Sequence, residues 1–147
     1  MSSPLDVALS YLDALGHDDP DAVAAHVADD FHNEHQSEIG SGCTGRDEYR
    51  RRLPGFMASL PNREYTVIET IGPGETAWVT GASDGSPDRE HAVAVRYRLG
   101  ADVDGHRIDI PGVMWFGVRD GLITRRIDTW DSLTFFRQAG QEPPPGG

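Results

Sequence analysis

Cysteine is nearly absent: Cys43 is the only one in 147 residues, so no disulfide can close within the chain. The opening MSSPLDVALS lacks both the basic residues and the apolar run of a secretion signal, and no stretch approaches the length that crosses a bilayer. A cytoplasmic location is therefore expected. Positive charge is also scarce, with 13 Lys and Arg against 24 Asp and Glu and a net charge of -11. Such a surface repels phosphate backbones and anionic lipid, and the one dense basic cluster, YRRRL, falls on an expected helix. Neither nucleic acid nor membrane is an expected partner.

What is present describes a single soluble domain. At 37% hydrophobic and 25% charged, the chain reads as one unit over residues 1–140, followed by a disordered Pro/Gly tail, QEPPPGG, over 141–147. A chain of this size buries roughly 68–70% of its unfolded surface, enough for a core with a cavity in it.

Helices come first and strands afterwards. Ser3 as N-cap, Pro4 at the first helical position and Asp6 after it predict a helix whose Leu5, Ala8, Leu9, Leu12 and Leu15 share a stripe, ended by Gly16. Asp19 and Pro20 start a second helix, with Val23 and Val27 facing inward. Thr44 and Asp47 form a capping box for a third, whose stripe is Tyr49, Leu53, Phe56 and Leu60 and which Pro54 should kink or shorten. From Arg63 the period changes to two. REYTVIET, TAWVTGA, EHAVAVRYRLGADV, HRIDIPGVMWFGV and LITRRIDTW are expected strands, with tight turns at Asp104-Gly105 and Asp120-Gly121. Pro111-Gly112 predicts a bulge that bends this antiparallel meander, and DSLTFFRQAG a short last helix.

The stretches YLDALGHDDPDAVAAHVADDF, GCTGRDEYRRRLPGF and VRDGLITRRIDTWDSLTFFRQAG, in this order of elements, resemble the nuclear transport factor 2-like superfamily. More narrowly, they resemble its SnoaL-like polyketide cyclase and ketosteroid isomerase branches. The resemblance covers nearly the whole chain and implies an α+β fold: a cone-shaped α+β barrel, with N-terminal helices packed against a strongly curved antiparallel sheet. It also implies a homodimer paired through sheet faces. Function follows from such a fold only by analogy.

Side-chain alternation in FHNEHQ puts Phe31, Asn33 and His35 on one face and His32, Glu34 and Gln36 on the other. His32 and His35 then point opposite ways, no third ligand stands at a recognisable spacing, and no metal site is expected. By the isomerase resemblance, Tyr11 matches the tyrosine that donates to the substrate oxygen, and His35 falls at the position of the general base. At about 100° per residue, Tyr11 flanks the leucine stripe and can reach a pocket edge. An imidazole base, unperturbed near a pKa of 6.5, suits proton transfer around neutrality. The isomerases' second, acidic oxyanion donor falls near Gly112 and is missing. By the cyclase resemblance, Asp128 matches the acid/base aspartate of the last strand, Asn33 a polar pocket residue, and Met114 replaces a histidine that some cyclases carry. The epoxide hydrolase branch uses an Asp-Arg-Asp trio, of which Asp128 and Arg96 supply two members, while Arg98 stands where the remaining aspartate belongs.

Each residue also has a plainer reading. Asp128 can be a structural partner of Arg126, Arg125 or Arg96, His35 a core histidine satisfied by backbone, and Tyr11 a helix-flank aromatic. The expected function is cofactor-independent acid/base chemistry, a cyclisation or isomerisation, on an apolar carbonyl or polyketide-like compound. Asp128, His35, Tyr11 and Asn33 would do the chemistry; Trp78, Arg96, Met114, Trp115 and Trp130 would line the pocket. The alternative is a non-catalytic ligand-binding or dimerisation domain of the same fold. Cys43 lies in a candidate lid, Ser37 to Gly45, with nothing beside it to activate a thiolate.

Overall fold

The Ser3 hydroxyl accepts from the Asp6 amide while the Asp6 carboxylate accepts from the Ser3 amide, both at 3.1 Å, and this reciprocal cap starts helix α1, Pro4–Leu15. Its buried face is Val7, Ala8, Tyr11, Leu12 and Leu15. Asp19 caps α2, Pro20–Ala24, by accepting from the Ala22 amide at 3.1 Å. The chain then enters strand β1, Val27–His35. Residues 2–36, 41–75 and 90–143 are described in this computed structural model. The expected strand over 76–82 with Trp78, part of the candidate lid and the end of the tail lie outside them.

A two-residue strand, β2, Cys43–Thr44, pairs with β1 and leads into α3, Arg46–Ser59. The expected cap at Thr44 does not form. Thr44 pairs with His32 in the sheet and its hydroxyl bonds His32 Nδ1 at 2.9 Å, so Gly45, at φ 95°, takes the cap position instead. The helix also runs on past Pro54, held on either side by buried Leu53 and Met57. Arg63, whose side chain is 1% exposed, ties the helix ends together. It donates to the carbonyls of Leu15, His17, Met57 and Leu60 at 2.8–2.9 Å, filling acceptors that the ends of α1 and α3 leave open.

The remaining strands are β3, Glu64–Glu75, β4, His91–Val103, β5, His106–Arg119, and β6, Leu122–Trp130, followed by α4, Ser132–Gln138. Asp104-Gly105 and Asp120-Gly121 all have positive φ, as the two tight hairpins demand. Among the described residues, six strands form an open sheet in the order β2-β1-β6-β5-β4-β3. The architecture is α+β, with the N-terminal helices on one face of the sheet.

Two features differ from the expected meander. The sheet is mixed, because β1 returns parallel to β6. And β5 passes through Pro111-Gly112 without a bulge, in continuous register with β4. Pro111 pairs with Arg98 just beyond the end of β6, where its carbonyl accepts from Asp131 and its missing N–H breaks no ladder bond. Alternation sends Val93, Val95, Tyr97 and Leu99 of β4, and Ile108, Ile110, Met114 and Phe116 of β5, into the core beneath the helices.

Candidate active site

The parallel pairing of the first and last central strands builds the site. It sets Asn33 beside Arg126 and His35 beside Asp128, on the face that looks into the cone. A cavity of about 1040 Å³ opens there, between α3 and the inner face of the sheet. Asn33, His35, Tyr49, Tyr97, Arg126 and Asp128 share its wall with apolar side chains that include Leu53, Phe56, Leu99 and Trp130. Such a volume takes a multi-ring molecule, and a mostly apolar wall with few convergent polar groups is the usual form of a small-molecule site.

At the centre stands Arg126, 5% exposed. Its Nη1 donates to Asn33 Oδ1 at 2.9 Å, its Nη2 to Asp128 Oδ2 at 3.1 Å, and its Nε lies 3.5 Å from the Met114 sulfur. Burial works against its charge, but the neighbouring phenols and Asp128 carry the guanidinium above its ordinary pKa, so it stays protonated. Asp128 Oδ1 accepts from the Tyr97 hydroxyl at 2.7 Å. The ring of Tyr97 reaches it by crossing Gly112, its partner on β5, where any β-carbon would run into the phenol. The missing acid near Gly112 thus has a physical counterpart: Tyr97 fills the space above that glycine.

His35 completes the cluster. Its ring is 19% exposed, and Nδ1 lies 4.0 Å from Asp128 Oδ2, buried and, among the described residues, without a hydrogen-bond partner. Burial lowers its pKa, the Arg126 charge lowers it further, and the Asp128 carboxylate pulls the other way. The net shift is downward, so the imidazole is neutral at neutral pH. A buried donor or acceptor without a partner is uncommon in folded proteins. Asn33 is oriented by its neighbour: a guanidinium can only donate, so Oδ1 faces Arg126 and the amide N–H groups are what Asn33 has left to offer.

The other named residues divide. Trp130 lines the cavity, packed edge-on against Phe135. Tyr11 is fully buried one layer behind the wall, its hydroxyl bonded to that of Tyr49. Met114 is fully buried beneath Arg126. Arg96 and Trp115 correct the expected pocket. Both lie on the outer face of the sheet, because they alternate with the inward residues Val95, Tyr97, Met114 and Phe116. Arg96 pairs there with Glu69 at 3.0 Å, and Trp115 is 44% exposed. The arginine beside Asp128 is therefore Arg126, on the same strand, and the partial trio built on Arg96 does not assemble.

Sequence reasoning gave Arg126 only a structural part and passed over Tyr49 and Tyr97 as site residues. The available signal was the alternation Thr124, Arg126, Asp128, Trp130, which places the arginine and the aspartate on one face. Among the described residues, no three His, Cys, Asp or Glu side chains converge to hold a metal ion, and no helix is long and apolar enough to cross a membrane.

A family model described as a SnoaL-like domain matches residues 8–126. The chain belongs to the SnoaL-like domain family. The match spans Tyr11, Asn33, His35, Tyr49, Tyr97 and Arg126 and stops two residues short of Asp128. No protein of curated function matches this SnoaL-like chain. Among solved structures, it is similar to a hypothetical protein with a ketosteroid isomerase-like fold from Catenulispora acidiphila, solved in complex with trimethylamine. Identity is 17%, 99% of this chain and 100% of that one are covered, and the TM-score is 0.78. A proposed SnoaL-like polyketide cyclase from Jannaschia sp. is similar at 17% identity, with 97% and 99% covered and a TM-score of 0.72. An LEH-like epoxide hydrolase from M. tuberculosis is similar at 21% identity, with 90% and 86% covered and a TM-score of 0.68. At these identities the SnoaL-like protein shares with them the nuclear transport factor 2-like cone fold, and the likeness extends to fold alone.

Proposed function

We propose that this SnoaL-like protein is an enzyme that moves a proton on an apolar cyclic or polyketide-like carbonyl compound without a cofactor. The observation that carries the reading is the unpartnered Nδ1 of His35, 4.0 Å from the Asp128 carboxylate at the wall of an apolar cavity. With its proton on Nδ1, toward Asp128, the neutral ring has Nε2 free to accept. His35 takes the proton from a carbon next to the carbonyl; the electron pair of that C–H bond becomes the carbon–carbon double bond of an enolate as the carbonyl π pair moves onto the oxygen. Asp128, fixed by Arg126 and Tyr97, holds the imidazolium that results. The Asn33 amide donates to the enolate oxygen, and Tyr11 acts from behind the wall. Return of the proton to a different carbon is an isomerisation. Attack of the enolate carbon on a second carbonyl of the same molecule, with the proton passing to the new alkoxide, is a cyclisation.

A second reading, binding without turnover, is favoured by the fact that both Asp128 oxygens already have partners. Histidine titration by NMR separates the two, in wild type and Asp128→Asn, with and without cyclic ketones such as 2-tetralone. The acid/base reading expects His35 to titrate below about 6.5, lower still in Asp128→Asn, and to respond to the ketone. A His35 that titrates as a free imidazole and ignores both changes leaves the binding reading.

We propose further that the protein is a homodimer. Its outer sheet face carries an apolar row, Ile71, Ala94, Trp115 and Ile127, paired in sequence across four neighbouring strands. Ile71 is 69% exposed, which is costly in water and suits a second copy of the same face.

A further inference from the structure

We propose that Tyr49 is the hydroxyl that donates to the ligand's oxygen in the cavity, and that Tyr11 is a positioning residue acting through it. The inference rests on the proposed enolate chemistry and moves the donor's part from Tyr11, where the resemblance put it, to Tyr49. Tyr11 does not reach the cavity and Tyr49 does. Tyr49 stands on the buried stripe of α3, its ring against Phe31 at 4.8 Å between centroids. The ring of Tyr11 stands behind it, against Phe116 and under the Arg126 guanidinium at 5.6 and 5.8 Å.

Proton counting fixes the direction of the bond between them. Two phenols bring two hydroxyl protons, and their mutual hydrogen bond uses one. The other must find an acceptor or be buried unsatisfied. If Tyr49 donated to Tyr11, the Tyr11 proton would need an acceptor inside the core. Arg126 can only donate, Phe116 offers no lone pair, and both nitrogens of neighbouring His26 are engaged, by the Ala22 carbonyl at 2.7 Å and the Ser10 hydroxyl at 2.8 Å. Among the described residues, Tyr11 has no hydrogen-bond partner but Tyr49. If Tyr11 donates to Tyr49, the remaining proton lies on the phenol that lines the cavity, where a ligand oxygen or water can take it. This arrangement leaves neither phenol proton buried and unpaired. Burial keeps both phenols protonated, so the pair donates throughout the physiological range. A phenol that accepts one hydrogen bond donates a stronger one, so Tyr11 polarises Tyr49 toward the ligand.

The test uses substituted phenols of graded acidity, whose ring-borne oxygen imitates the planar enolate. Their dissociation constants are measured for the wild type, Tyr49→Phe, Tyr11→Phe and the double variant. Wild type should bind the more acidic phenols more tightly. Tyr49→Phe should weaken binding by about 10- to 100-fold and flatten that dependence, as expected for loss of a hydrogen bond to a charged oxygen. Tyr11→Phe should weaken it a few-fold, chiefly for the most acidic phenols, and the double variant should match Tyr49→Phe. The proposal is overturned if Tyr49→Phe binds as wild type, if the two losses add independently, or if wild type binds no phenol at millimolar concentration. Should Tyr49→Phe fail to fold, Tyr11→Phe decides alone: no change, or a loss equal across the series, overturns it. His35→Gln keeps this outcome apart from the proton-transfer reading. It should abolish turnover while leaving the Tyr49-dependent binding of phenols in place.

Discussion

Arg126 holds three groups at once, Asn33, Asp128 and the face of Tyr11, from a buried position in the cavity wall. Removing it strands the Asp128 carboxylate in the interior. Arg126→Met is therefore expected to cost about 3–5 kcal/mol in denaturant unfolding, and Asp128→Asn in the same chain to recover part of that, because the second change removes the stranded charge. His35 sets a pH dependence of the opposite kind from a salt-bridged histidine. Its folded pKa lies below the unfolded value of about 6.5, so as pH falls below that value the unfolded chain takes up a proton that the folded chain refuses. Stability should decline from about pH 7 toward the lowered folded pKa, and His35→Gln should flatten that slope. At this scale the sequence was legible in part. Strand alternation correctly turned Asn33 and His35 inward and His32 outward. It could not choose the inner face of LITRRIDTW, because Ile123 and Ile127 also find burial, and with that choice went the part played by Arg126.

The elements whose ends carry their own chemistry were the most readable. Ser3-Pro4, Asp19-Pro20 and the two Asp-Gly turns start or stop structure through bonds and dihedrals that a few adjacent residues determine. Thr44 was misread as a cap because its hydroxyl is claimed by His32, twelve residues away. Gly112 was misread as a bulge because the need for it comes from Tyr97 on the neighbouring strand. That need makes an element-level prediction. Gly112→Ala puts a methyl group where the Tyr97 phenol lies and should displace it from Asp128. Loss of stability of about 1–3 kcal/mol is expected from overpacking, and ligand affinity should fall together with it. Tyr97→Phe in the Gly112→Ala chain should add little further loss of affinity, since the bond it removes is already broken. Two additive losses would place the role of Gly112 elsewhere.

At the level of the whole molecule, the succession of helices and then strands made the fold class readable, and one long-range pairing made the site unreadable. That β1 lies parallel to β6 cannot be inferred from either strand alone, yet it alone brings His35 to Asp128 and Asn33 to Arg126. The outer face carries its own prediction. Sedimentation at micromolar concentration should give a dimer, and Trp115→Glu should give a monomer with the cavity's ligand binding retained; a wild-type monomer would rule the homodimer out. The central claim, that this cavity moves a proton next to a carbonyl, is tested most directly by deuterium exchange at the α-carbons of apolar cyclic ketones in D₂O. Wild type should accelerate the exchange, and His35→Gln should lose the acceleration by about 10²–10⁴-fold. Exchange at the uncatalysed rate with wild type, or equal rates with wild type and His35→Gln, would contradict it.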